Sequence, residues 1–337
     1  MSRAFLSAVL LWTTLALAAA GGVSPPGTLH HYEASRMSMA CLFVIDAYAI
    51  DERALPASVD LAFDEIDRID RLMSHYKPAS PLSQINGQAG HQEVAVDPEL
   101  FEFIRDSLQY SRDSDGAFDI TVGPLMKAWG FFRGDGRLPD DRDLAVARRL
   151  VGSEHVILNE DRHTIRFDAE GVELDLGGIA KGYAVDRAVE VLRTREVDAA
   201  LVSSGGSTLY GLGAPPGRDG WEVAIQDPTD ARKAAHAVNL RNRSLSVAGS
   251  SEKSFVADGV RYSHIMDPRT GRPVQGILTV AVLTNTGTEG DALDDALFVL
   301  GPEKSRAYLK RRPDVGALFF LPAARGGWTM IHEGRQQ

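Results

Sequence analysis

The stretch Glu173-Leu174-Asp175-Leu176-Gly177-Gly178-Ile179-Ala180-Lys181-Gly182-Tyr183-Ala184-Val185-Asp186 constrains this chain more than any other. Apolar and polar residues alternate up to Leu176, as in a strand, and a glycine pair then leads into helical spacing. Glycines at 177 and 178 leave the backbone unshielded. Amides opening the helix are therefore expected to face an anion, aided by the helix dipole, with Lys181 one turn in. The spacing is not that of a P-loop, because Ala180 precedes Lys181 and Gly182 follows it. Nor is it a dinucleotide fingerprint, because the glycines fall at 177, 178 and 182. The plain alternative is that the glycines only allow a strand and a helix to pack closely.

Arg3 followed by the apolar run from Ala4 to Ala20 reads as an export signal cleaved after Ala20, with an uncleaved membrane anchor as the alternative. Residues 21–36, with Pro25, Pro26 and the adjacent His30 and His31, read as a solvated linker. That leaves 37–333 as one large domain of two intimately joined halves. A formal charge of -10 disfavours nucleic acid and leaves no polybasic patch for a membrane. Cys41 is the only cysteine, so an intrachain disulfide is excluded, and its apolar surroundings predict a buried, unreactive thiol.

Met39 to Ala47 reads as a strand. Val59, Phe63, Ile66, Ile69 and Met73 recur at three-to-four spacing and predict an amphipathic helix. Residues 74–86 read as a loop punctuated by Pro78 and Pro81, and Asp97-Pro98 as the capped start of a second helix. Hairpins are expected at Val156–Phe167 and across Asp258-Gly259. Further strands are expected at 199–202, 221–226, 244–248, 278–284, 315–321 and 328–331, and helices at 290–300 and 303–310. Strands and helices mix without regular βαβ alternation, which predicts an α+β fold.

Three further segments carry chemistry. Gly116 to Phe131 places Asp119 and Thr121 among apolar residues, so a buried Asp119 needs donors from Thr121, from the backbone or from a ligand. Ser263 to Pro273 packs His264, Asp267, Arg269 and Arg272 into one turn-rich segment, suited to phosphate and to proton transfer. Asp291 and Asp295 share a helix face at i, i+4, where two carboxylates repel unless a cation lies between them, and oxygen ligands suit Mg²⁺ or Ca²⁺. The bland reading is an acidic helix start beside a salt-bridged turn.

In this order the segments resemble the ApbE family of FAD:protein FMN transferases, from about Met39 to Leu321. The resemblance implies an exported, Mg²⁺-dependent enzyme of the periplasm. It would move the FMN half of FAD onto a Ser or Thr of an exported or membrane-bound redox protein and release AMP. It further implies that Met39, Tyr76, Ala117, Phe118, Asp119, Asp175, Lys181, His264 and Ile265 lie along FAD. Gly178, Asp291 and Asp295 would hold Mg²⁺, with His264 nearest the proton transfer. Four departures fall inside family motifs: Met39-Ala40-Cys41 for Met-Gly-Thr, Ser207 for Asn, Val247-Ala248 for Thr-Ser, and Asp295 for Thr. The alternatives are an FAD pyrophosphatase yielding free FMN and AMP, and an exported FAD-binding protein whose catalysis has decayed.

Overall fold

The structure, a computed structural model, describes residues 27–132, 134 and 136–335, so the expected signal segment lies outside the described residues. Its frame is an antiparallel sheet of eight strands that lie side by side in chain order. They are β1 (His30–Ser38), β2 (Cys41–Ala49), β3 (Ala199–Ser204), β4 (Thr208–Leu212), β5 (Arg243–Gly249), β6 (Thr279–Thr284), β7 (Gly316–Pro322) and β8 (Trp328–Gly334). Helices and small sheets are inserted between these strands, which gives the α+β architecture expected. No helix among the described residues is long and apolar enough to cross a membrane.

Period-two alternation sends the two faces of the sheet to different cores. Val280, Val282, Ala317 and Phe319 face the helix Gly287–Leu309, meeting its Leu293, Leu297 and Phe298. Leu245, Ala281, Leu283, Leu318 and Phe320 face the other way, against Trp221, Val223 and Ile225 of an outer hairpin, Trp221–Asp227 with Asp230–Leu240. The segment between β2 and β3, residues 50–198, holds α1 (Leu55–Met73), α2 (Pro81–Gln88), α3 (Pro98–Asp113), α4 (Gly123–Ala128), α5 (Asp141–Arg148) and α6 (Ala180–Thr194). The helix Gly287–Leu309 is α7. Each apolar side chain that α1 buries, from Leu55 through Val59, Phe63 and Ile66 to Met73, contributes about 1.5–3 kcal/mol.

The structure corrects the sequence reading at four places. Residues from His30 onward are not linker: they pair with β2 in full register, His30 opposite Ala49 through Ser38 opposite Cys41. Part of the 74–86 loop is α2, because Pro81 stands in its first turn and Ser80 Oγ accepts from the Ser83 amide. Thr208–Leu212 and Asp230–Leu240 are strands with no strand expectation behind them. The two helices expected near 290–310 form α7, which starts at Gly287 and is broken at Gly301, whose φ of 70° no helix holds.

Candidate active site

The site is built where α6 and α7 cross. A methyl on Gly182 would stand 2.1 Å from the Gly287 carbonyl oxygen, and one on Gly287 would stand 2.7 Å from the Gly182 carbonyl oxygen. Glycine at both positions is what lets the two backbones touch. Each helix then caps the other. Asp186 of α6 accepts from the amides of Gly287 (2.6 Å) and Thr288 (2.8 Å) and from Thr288 Oγ1 (2.6 Å), while Asp291 of α7 accepts from the Gly182 amide at 2.7 Å. The Thr208 hydroxyl on β4 donates to the other oxygen of Asp291.

This arrangement corrects the expected anion cradle. The Gly177 amide donates to Asp175 Oδ1 (2.8 Å) and the Ile179 and Ala180 amides donate to the Leu176 carbonyl (3.1 and 2.8 Å), while that of Gly182 is held by Asp291. Those four donors serve the protein. The glycines have another use: a methyl at Gly178 would lie 2.6 Å from Asp295 Oδ2 and 3.6 Å from the Phe118 ring, so only glycine lets that carboxylate approach the chain here.

Three carboxylates of α7 gather under the junction. Burial pushes Asp291 up to about 6, and burial together with the Asp291 charge pushes Asp295 up to about 7. Asp294 is 6% exposed and is driven well above the carboxylate range by burial, then by Asp295 and Asp291. Such a trio ionises fully only when positive charge enters, and an all-oxygen donor set beside the Gly178 backbone fits a hard divalent cation. Part of the charge is already supplied by Lys181. Burial opposes its ammonium, but Asp291, Glu252 and Asp294 outweigh that and hold it above its ordinary value. Its Nζ donates to Ser207 Oγ at 2.6 Å, so the serine that stands for the family's Asn still anchors the lysine.

His264 follows the Phe255–Tyr262 hairpin and is half-buried. Burial first, then the charges of Lys253 and Lys181, lower its pKa to about 4. Its Nδ1 lies 3.3 Å from the Lys253 carbonyl, which can only accept. The proton therefore sits on Nδ1 and the Nε2 lone pair is free.

Asp175 lies 9% exposed, and His75 Nδ1 approaches its Oδ1 at 3.3 Å. Nothing in the sequence marks His75, which stands beside Tyr76 in a proline-punctuated stretch. Its ring lies 3.9 Å from that of Tyr76 and 5.2 Å from that of Phe132, and its buried Nε2 has no partner. His75, Asp175, Asn86, Lys127 and Phe132 line a cavity of about 230 Å³. Tyr76 is 42% exposed and stacks on Phe132. Asp119 Oδ1 accepts from the amide (2.8 Å) and hydroxyl (2.6 Å) of Thr121, so that oxygen braces its own loop. Ala117 and Phe118 are buried beside it, Ile265 is buried in the α7 core, and Met39 is half-buried in the β1–β2 turn with φ 48°. Cys41 is half-buried against Gly205 rather than fully enclosed, and burial raises its thiol pKa.

Known proteins are similar to this chain in sequence and fold. The ApbE family model matches residues 39–319. An FAD:protein FMN transferase of Klebsiella pneumoniae is 33% identical, covering 86% of this chain and 88% of its own. One of Treponema pallidum is 36% identical over 80% of this chain and 78% of its own. The crystal structure of the ApbE protein of Thermotoga maritima superposes with a TM-score of 0.81 at 28% identity, covering 90% of this chain and 97% of that one. The flavin transferase ApbE of Vibrio cholerae superposes with a TM-score of 0.79 at 27% identity, covering 91% and 98%.

Proposed function

The chain belongs to the ApbE family and is an FAD:protein FMN transferase, and from that premise we propose that it works outside the cytoplasm with Mg²⁺, esterifying FMN to a Ser or Thr hydroxyl of an exported or membrane-bound redox protein. The observation that carries this reading is the packing of Asp291 and Asp295 against the Gly178–Gly182 junction beside Lys181, whose charge also reaches His264.

Gly178, Asp291 and Asp295 would hold Mg²⁺, which when bound offsets the charge of a diphosphate. Lys181, anchored by Ser207, places a fixed positive charge beside the same carboxylates and so favours an anionic ligand there. Stacked Tyr76 and Phe132, with the tilted His75 ring against them, offer an aromatic ligand a ring cluster next to Asp175. In the transfer step the acceptor hydroxyl oxygen bonds to the phosphorus of the FMN half, the bond from that phosphorus to the bridging oxygen breaks, and AMP leaves. The hydroxyl proton goes to His264 Nε2, which is neutral at ordinary pH and free of other partners. Export rests on the apolar run ahead of the domain.

The test is incubation with FAD, Mg²⁺ and a peptide carrying Asp-x-x-Ser/Thr-Gly-Ala-Ser/Thr, followed by intact-mass measurement. Gain of one FMN by the peptide, lost when its acceptor hydroxyl residue is Ala, is the expected result. Release of free FMN and AMP with no gain in peptide mass would instead make the enzyme a pyrophosphatase.

A further inference from the structure

A second cluster of metal-ligating side chains lies on the first hairpin of the sheet, far from the junction. His31 and Glu33 are two residues apart on the edge strand β1 and point to one face, and the register sets Asp46 of β2 directly across from Glu33 on that face. One imidazole nitrogen and one oxygen from each carboxylate lie within 4.8 Å of one another. At about 3.3 Å per residue, His31 is roughly 26 Å along the strand from Met39, so this cluster is separate from the flavin site.

The cluster is electrostatically unbalanced. Like charges directly opposite on neighbouring strands are destabilising, and Asp46 is only 8% exposed. Among the described residues no lysine or arginine forms an ion pair with Glu33 or Asp46; the one partner is His31, whose Nε2 lies 2.7 Å from Asp46 Oδ1. The His31 ring is steadied by Tyr48, 4.8 Å away and across from it in the register, so the imidazole is already oriented.

We propose that His31, Glu33 and Asp46 form a zinc site that pins the edge strand β1 to β2. Zinc accepts both imidazole nitrogen and carboxylate oxygen, and three protein ligands with a side open to water is the count of a three-ligand zinc centre. Ligands on a tetrahedral zinc with bonds of about 2.0–2.2 Å lie about 3.4 Å apart, so the remaining closure falls to the exposed Glu33 side chain. The ion takes the place of the proton shared by His31 and Asp46 and removes the repulsion between the two acids. A calcium or magnesium ion is disfavoured by the imidazole.

The experiment is calorimetric titration of the tag-free protein with Zn²⁺ in excess Mg²⁺, which keeps the α7 carboxylates occupied, together with Co²⁺ titration read by visible absorbance. The parent is expected to bind one Zn²⁺ and to melt at a higher temperature with it. His31→Gln and Glu33→Gln, the latter an exposed change that leaves the fold intact, should each weaken that binding by at least about 100-fold, the upper end of what losing an outer partner of a metal site costs. FMN transfer stays at the parental rate in Glu33→Gln. A parent that binds no Zn²⁺ under these conditions, or Gln variants that bind it as the parent does, would overturn the proposal.

Discussion

The backbone amide of Gly182 donates to Oδ2 of Asp291 at 2.7 Å, across 109 residues of sequence. A helix start that reads as a phosphate cradle is thus held by a carboxylate of the chain itself. The same carboxylate interacts with the charges of Lys181 and Asp295. Positioning of the acidic cluster therefore depends on how closely α6 and α7 cross, and Gly182 sets that distance.

Gly182→Ala tests the crossing. Its methyl would meet the Gly287 carbonyl at 2.1 Å and the Thr288 amide at 2.8 Å, both backbone atoms that cannot swing aside. Overpacking of this kind costs about 1–3 kcal/mol or more. Thermal denaturation should show a lowered midpoint, and Mg²⁺ affinity should fall with it; a parental melting curve would show that the helices part without cost.

Asp295→Thr restores the residue usual in the family at the one metal-side position where this chain departs. Two carboxylates facing one ion should bind it more strongly than a carboxylate and a hydroxyl, so Mg²⁺ affinity measured by calorimetry should drop by roughly tenfold or more. Removing a buried charge next to Asp291 and Asp294 should leave the fold at least as stable as before. Turnover at saturating Mg²⁺ should hold or rise, since less negative charge then faces the transferred phosphate. Unchanged metal affinity would mean that the side chain at 295 takes no part in binding.

His75→Phe keeps a ring against Tyr76 and Phe132 but removes both nitrogens. A buried Nε2 without a partner costs about 1–3 kcal/mol, which a ligand donor would recover on binding. The variant should be as stable as the parent or more so, yet bind FAD about tenfold more weakly, with kcat little changed. Flavin fluorescence titration gives the affinity, and parental affinity would place His75 outside the flavin site.

The pH response of His264 follows from its surroundings. Because burial and two lysines favour the neutral ring, its folded pKa of about 4 lies below the ordinary 6.5. The ring stays neutral and basic as pH falls through 6.5 and is protonated only near 4. Folding then loses stability between those values, because the unfolded chain takes up the proton first. Histidine NMR titration of the flavin-free protein, assigned with His264→Ala, should show this midpoint; one near 6.5 would contradict the buried, lysine-flanked setting.

Much of this was legible in the sequence because it is local. The α1 face from Val59 to Met73, the Asp97 cap of α3 and the Asp258-Gly259 turn each depend on a few neighbouring residues, and all three formed as expected. β1 reads as linker in sequence because its burial alternates between half-buried and exposed until Ser38, which leaves little apolar signal. The polar strand Asp230–Leu240 escaped for the same reason. Motif residues such as Lys181, Asp291 and His264 could be named from spacing, but the partner of each amide could not. That Gly182 serves Asp291, and that Thr121 binds Oδ1 of Asp119, is decided by chain distant in sequence or by loop geometry.

The most direct measurement is the single-turnover rate of FMN transfer to the acceptor peptide by His264→Ala, with FAD binding measured on the same sample. The account predicts FAD bound as in the parent and transfer slowed by roughly 100-fold or more, the scale of a lost acid–base group. Transfer at the parental rate with FAD bound would contradict it, because the neutral Nε2 of His264 would then not be the base that takes the acceptor's proton.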